Sequence, residues 1–176
     1  VRPAALRGRQ GGLDEPGRND KFPLNLPPGF PLEPIGAGET LSQLLREGRL
    51  DAVMSARAPS CYGDGSAPVA RLFEDFESAE REYFKRCGIF PIMHVVAIRR
   101  DVYEANRWVA QSLYKAFVEA QRRTYADLLD TAALKAMLPW LTAHVEDARQ
   151  EMGDDYWPYG LERNRNTLET FLRYHH

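Results

Sequence analysis

The residues of this chain with the most chemical potential are Arg57, His94, and the adjacent pair Asp14 and Glu15. Arg57 closes the run Leu-Asp-Ala-Val-Met-Ser-Ala-Arg-Ala-Pro-Ser over residues 50–60, where a short apolar stretch ends in small residues, an arginine, a proline and a serine. That pattern predicts a buried strand over 50–55 opening into a polar loop, and in open α/β sheets ligands bind outside the carboxyl ends of strands. A guanidinium there matches a carboxylate or phosphate through its planar fork; the alternative is a surface arginine in a turn. His94 lies in the middle of Ile-Phe-Pro-Ile-Met-His-Val-Val-Ala-Ile over 89–98 and shares a strand face with Ile92, Val96 and Ile98. It is either a core histidine with a satisfied ring or a cleft-facing acid, since imidazole titrates near neutral pH. Asp14 and Glu15 sit in the turn Gly-Gly-Leu-Asp-Glu-Pro-Gly over 11–17. They read as a solvated turn, or as proton-handling groups where a cleft desolvates them.

Three aromatics crowd the loop Tyr-Trp-Pro-Tyr-Gly over 156–160. Such a loop covers either a core edge or a flat ligand, which would stack on Trp157 or Tyr159. Other chemistries have no signal. His144 with Glu146 and Asp147 makes no H-E-x-x-H, the cysteines Cys61 and Cys87 have no ligand spacing, and no glycine-rich phosphate motif is present. Ser60 beside Cys61 lacks the surroundings of a nucleophile elbow.

The elements that must position these groups follow from local pattern. Six of the 12 prolines (Pro16, Pro23, Pro27, Pro28, Pro31 and Pro34) predict an extended loop over 16–34, and the interleaved Phe22, Leu24, Leu26, Phe30 and Leu32 give it something to pack. Thr40-Leu-Ser-Gln43 resembles a capping box, with Gly48 as a stop, so a short helix is expected over 41–47. Further helices are expected over 77–86, closed by Gly88, over 101–106 and over 108–129. Another is capped at Thr131, is interrupted or restarted by Pro139 and ends near Met152. A last one begins at the box Asn166-Thr-Leu-Glu169 and carries Leu168, Phe171, Leu172 and His175 on one face. Residues 89–98 make the strongest strand, and its near-continuous apolarity predicts burial on both faces.

A chain of 176 residues suffices for one domain or two small lobes. With 44% hydrophobic and 27% charged residues it has the composition of a soluble globular protein. A net charge of −2 without a Lys/Arg-rich block argues against a nucleic-acid partner, and no apolar stretch suits a membrane span. Two unpatterned cysteines predict a reducing compartment. The chain starts without Met and stops inside a helical pattern at Leu172-Arg-Tyr-His-His176, and strands are few for an α/β fold. Together these predict a fragment, or a chain trimmed at both ends.

Four stretches together resemble the 4,5-dihydroxyphthalate decarboxylase family: Gln10-Gly-Gly-Leu-Asp-Glu-Pro-Gly-Arg18, the run over 51–60, Gly88 through Val96, and Trp157-Pro-Tyr-Gly160 with Asn164 through His176. The resemblance implies an α/β fold of the two-lobed, type II periplasmic-binding-protein kind, incomplete in this chain, which looks like a C-terminal half. Residues 1–60 would belong to the second lobe, contributing cleft-lining loops and a strand. Residues 61–176 would hold the crossover and the mostly helical C-terminal part of the first lobe. A missing N-terminal half, or a homo-oligomeric partner, is expected to cover the exposed sheet edge.

The resemblance further implies a cytoplasmic carboxy-lyase of aromatic (phthalate) catabolism acting on a small aromatic carboxylate, with no nucleic acid or membrane involved. No cofactor is expected, because a phenol can supply the electrons; the need for a divalent metal stays open. In the roles this implies, Arg57 and Ser60 bind substrate oxygens, and His94 is the acid with Asp14 or Glu15 behind it. Phe90, Trp157 and Tyr159 form a dry wall. The same fold and the same arginine would also serve a periplasmic solute-binding protein for a small aromatic or sulfonated acid, without catalysis.

Overall fold

The computed structural model describes residues 8–15, 28, 31–63, 65 and 67–175. These form a mixed, mainly helical chain that divides into two compact units, Val1–Ala79 and Glu80–His176. Most of the proline-rich stretch over 16–34 lies outside the described residues.

In the first unit, β1 (Gly8–Gln10) pairs in parallel with β2 (Leu32–Pro34), in the register Gly8 to Leu32, Arg9 to Glu33 and Gln10 to Pro34. Pro34 is tolerated because β2 is an edge strand and the next donor, the Ile35 N–H, reaches the Gln10 carbonyl at 3.0 Å. The turn that follows β1 then docks on α1 (Leu41–Arg46). A helix start leaves its first N–H groups without intrahelical partners. Here the Leu41 and Ser42 N–H groups donate to the Gly12 and Leu13 carbonyls, both at 2.9 Å, and the Gln43 N–H donates to the Thr40 hydroxyl at 3.1 Å. The box is half-formed, because the Gln43 amide turns forward to donate to Glu47 at 2.8 Å. Gly48, at φ +68°, ends the helix, with its N–H on the Leu45 carbonyl and the Arg49 N–H on that of Leu44. Gly11 is fixed by crowding: a Cβ there would lie 2.2 Å from Ile35 Cδ1.

Leu44 and Cys61 form the buried apolar centre of this unit. Farther along, the Arg71 guanidinium lies 4.3 Å from the Phe76 ring centroid and donates through Nε to the Tyr62 hydroxyl at 3.1 Å. The strand expected over 50–55 does not form. That stretch is irregular, with Met54 fully exposed, because among the described residues the only ladder is β1 with β2 and no neighbour offers it hydrogen bonds.

The division between the units falls within α2 (Phe76–Cys87), which Gly88 closes at φ +64°. The second unit continues with α3 (Arg100–Ala105), α4 (Trp108–Leu129), α5 (Leu141–Met152) and α6 (Arg165–His175). Arg81 and Lys85 of α2 hold Glu151 of α5 at 2.7 and 3.3 Å. Val145 of α5 and Ile89 are the buried apolar residues.

Two helix starts differ from the sequence expectation. Residues 131–140 are not helical: the Asp130 carboxylate captures the Ala132 N–H at 2.9 Å, and Pro139 withholds a donor and disfavours helical geometry just before it. Helix α6 begins at Arg165, so Asn166 lies inside it and its side chain donates to the Cys87 carbonyl at 2.9 Å instead of capping.

The strand expected over 89–98 is extended but unpaired. Among the described residues its backbone makes no ladder hydrogen bond, and His94, expected at a buried position, is exposed with Met93, Val95 and Val96.

Candidate functional site

The expected site residues separate between the two units. Asp14, Glu15, Arg57 and Ser60 belong to the first; Phe90, His94, Trp157 and Tyr159 belong to the second.

In the first unit a polar knot ties three segments together. The Ser60 N–H donates to Asp14 Oδ1 at 2.9 Å, the Ser60 and Ser42 hydroxyls share a hydrogen bond at 2.9 Å, and the Cys61 N–H donates to Ser42 Oγ at 3.2 Å. The knot joins the turn after β1, the first turn of α1 and the loop at 60–61. Hydrogen bonds from the Ser60 hydroxyl and N–H hold the Asp14 carboxyl below the usual aspartate range. Asp14 is therefore an ionised acceptor at neutral pH, and its contacts tie the loop at Ser60 to the turn after β1. Ser60 spends its hydroxyl in the same knot, and Glu15 is exposed beside it. Sequence reasoning missed Ser42, which is buried; its only signal was its place inside the predicted cap.

Three residues before Ser60, Arg57 is exposed on a bend, its backbone N–H donating to Ser55 Oγ at 3.3 Å. Its guanidinium makes no ion pair or hydrogen bond among the described residues. An unneutralised guanidinium on a tied-down loop is free to take a carboxylate in fork geometry.

In the second unit, Phe90 meets Trp157 edge-on, with ring centroids 5.4 Å apart, and Tyr159 packs on Phe117 at 6.3 Å. The aromatic loop is held by polar side chains that the sequence did not flag. The Tyr125 hydroxyl accepts the Trp157 N–H at 3.0 Å, and the Gln121 amide donates to both that hydroxyl, at 3.2 Å, and the Trp157 carbonyl. The Asn164 amide bridges the Pro158 and Gly160 carbonyls at 2.7 and 2.9 Å. The signal was present only as the i, i+4 pair Gln121 and Tyr125 on one helix face. Burial pushes the Tyr125 phenol up, so it stays a neutral donor and acceptor. His94 lies four residues beyond Phe90 on the same extended segment and has no hydrogen-bond partner among the described residues. Among the described residues, no group of three or more His, Cys, Asp or Glu side chains gathers as a metal site would need. No helix there is long and apolar enough to cross a membrane.

Comparison with known proteins gives these two centres a context. No family model matches the chain. A 4,5-dihydroxyphthalate decarboxylase from Comamonas testosteroni is 36% identical over all 176 residues. The chain is similar, from its first residue to its last, to 4,5-dihydroxyphthalate decarboxylase. A protein of the same name from Pseudomonas putida is 40% identical over 76 residues, 43% of this chain and 30% of the relative. The chain spans 53% of the Comamonas decarboxylase, about half its length.

Two expectations concern the knot. Removing the buried Ser42 hydroxyl strands the Cys61 N–H and leaves Ser60 with one partner fewer. Ser42→Ala is expected to lower stability by about 1–3 kcal/mol in urea unfolding; an unchanged midpoint would show that water replaces the hydroxyl. Acid is expected to loosen both units. The Asp14 pKa is depressed on folding, so its contribution is present above about pH 4 and fades as pH falls through the folded value. Glu119, bonded by Arg122 and Arg123 and lowered from 4.5 to about 2, acts likewise between those values. Melting temperatures measured from pH 6 down to pH 2 should begin to fall near pH 4.5, with added salt shrinking the Glu119 share.

Proposed function

We propose that this chain forms part of a cofactor-independent decarboxylase that converts a hydroxylated aromatic dicarboxylate, such as 4,5-dihydroxyphthalate, to protocatechuate. The observation that carries the reading is Arg57: an exposed guanidinium, unpaired among the described residues, on a loop anchored by Ser60 and Asp14. The names of the two relatives supply the substrate class.

The chemistry asks little of the protein. Each carboxylate of the substrate is para to a hydroxyl. A proton added to the ring carbon that bears the leaving carboxylate gives a cation stabilised by that hydroxyl. The carbon–carbon bond then breaks, carbon dioxide departs, and its bonding pair restores the aromatic ring. In this reading Arg57 binds the carboxylate that stays. His94 delivers the proton, with Asp14 or Glu15 behind it, and Ser60 Oγ accepts a hydrogen bond from a substrate hydroxyl. Phe90, Trp157 and Tyr159 exclude water from the leaving group, which favours loss of a neutral molecule.

The reading also includes a two-lobed α/β fold of the type II periplasmic-binding-protein kind. Residues 1–60 contribute to one lobe and 61–176 to the crossover and the other, and further polypeptide completes both. A cytoplasmic location suits the free thiols Cys61 and Cys87. The test is to incubate the protein, completed with the portion of the Comamonas relative that lies outside the match, with 4,5-dihydroxyphthalate. Release of carbon dioxide and protocatechuate is expected. Tight binding of the acid with no product would overturn catalysis and leave a binder.

A further inference from the structure

Tyr125 and Leu129 of α4, Val145 and Arg149 of α5, and Asp154 and Tyr156 of the loop after α5 enclose a cleft of about 170 Å³. All six belong to the second unit, and none of them touches the substrate in the reaction proposed above. The i, i+4 spacing puts each helical pair on one face of its helix. Most of the lining is apolar. Val145 is buried, and the Tyr125 and Tyr156 rings lie 4.7 Å apart with their planes at 33°. Burial pushes both phenols up, so neither is charged at neutral pH. The charged groups of the lining are Arg149 and Asp154, and they hold each other. Arg149 Nε donates to Asp154 Oδ1 at 2.9 Å, and Nη2 donates to the same oxygen. Both arms of the guanidinium thus meet one oxygen, whereas a carboxylate in fork geometry offers each arm its own. The Asp154 side chain is 84% exposed, so releasing Arg149 returns it to water, and exposed pairs of this kind contribute little.

We infer that this cleft is a binding site for a small aromatic carboxylate of one ring, held with its carboxylate on Arg149 in place of Asp154 and its ring against Val145, Leu129 and the two tyrosines. Size and charge select that class. An apolar cavity of about 150 Å³ holds one benzene ring, so the cleft takes one ring and not two. The lining carries one guanidinium, which takes one carboxylate, and the Asp154 carboxyl is the chain's own occupant of that fork. The tyrosine rings offer an aromatic guest edge and face contacts that a saturated ring of the same size lacks. A guest is sensed in the aromatic loop, because Tyr125 also accepts the Trp157 N–H at 3.0 Å and Tyr156 is the residue before it. The site does not depend on what reaction the protein performs.

The experiment titrates the full chain with benzoate and follows backbone amide shifts by NMR. Saturable shifts are expected at Arg149 and over residues 154–157, with a Kd of about 0.1–1 mM. Phenol, which lacks the carboxylate, and cyclohexanecarboxylate, which lacks the aromatic ring, should each bind about tenfold more weakly. Arg149→Gln is expected to weaken benzoate about tenfold or more. Asp154→Asn is expected to tighten it about two- to fivefold, because the internal competitor loses its charge. Opposite signs from the two members of one ion pair mark a ligand site; a purely structural pair would respond to both changes in the same direction. Arg57→Ala should leave the titration unchanged. The unsubstituted chain decides first: no saturable shift by about 10 mM benzoate, or equal binding of all three probes, overturns the inference. Weaker binding in Asp154→Asn also overturns it, as does loss of the shifts in Arg57→Ala, which would assign benzoate to the first unit.

Discussion

Arg57→Ala in the completed enzyme is expected to raise KM for the aromatic dicarboxylate by about 10- to 100-fold and to leave kcat within about threefold. The retained carboxylate keeps its charge from ground state to product, so an anchor on it contributes equally to substrate and transition-state binding, and such uniform binding appears in KM. The size follows from hydrogen bonds to a charged partner, each worth about 1.5–3 kcal/mol. Arg57→Lys should recover only part of the loss, because an ammonium keeps the charge without the fork. A control that disturbs the loop is Ser42→Ala, which touches the loop at Ser60 and Cys61 and not at Arg57. A kcat loss as large as the KM rise in Arg57→Ala would move this residue from anchor to transition-state contact.

His94→Gln is expected to act on the other parameter. Removing a general acid lowers kcat by about 100- to 10,000-fold, and glutamine keeps hydrogen-bonding capacity and similar bulk without a proton to give. KM should change little. His94 is exposed and without a hydrogen bond among the described residues, so the substitution removes no hydrogen bond there and a folding defect is not expected from the chain itself. Full turnover in the variant would pass the role to Asp14 or Glu15.

Local order was written in local residues. Thr40 and Gly48 bracket α1 because a hydroxyl can take an orphan N–H and because only glycine enters the left-handed region cheaply. Trp108–Leu129 was legible as one helix from its period alone. The failures occur where a distant or competing group decides. Residues 131–140 carry helix-forming alanines and leucines, yet the Asp130 carboxylate and Pro139 redirect the backbone. Residues 50–55 and 89–98 have the apolarity of buried strands, but a ladder needs a second backbone, and the described residues provide none for them.

The candidate site shows the same division. Arg57 and the aromatic loop stood out by type and spacing. Their supports, Ser42, Gln121, Tyr125 and Asn164, are ordinary polar residues made specific only by what folding brings against them. The Asp14 carboxylate, conspicuous beside Glu15, turned out to be an acceptor within such a support.

The bare stretch from Ile92 to Ile98 also sets the terms on which this chain can be handled. Seven residues rich in β-branched side chains, without Asp, Glu, Lys or Arg and presenting an open edge, are a template for sticking to identical neighbours. The flanks work against this: Pro91 precedes the run, and Arg99 and Arg100 place two positive charges directly after it. Arg99 spends its charge on Asp101 through hydrogen bonds of 2.6 Å, which leaves Arg100 as the principal gatekeeper. Solubility of the chain during synthesis therefore rests on a small electrostatic margin, and high salt, by screening it, should bring the chain out of solution well before its helices melt.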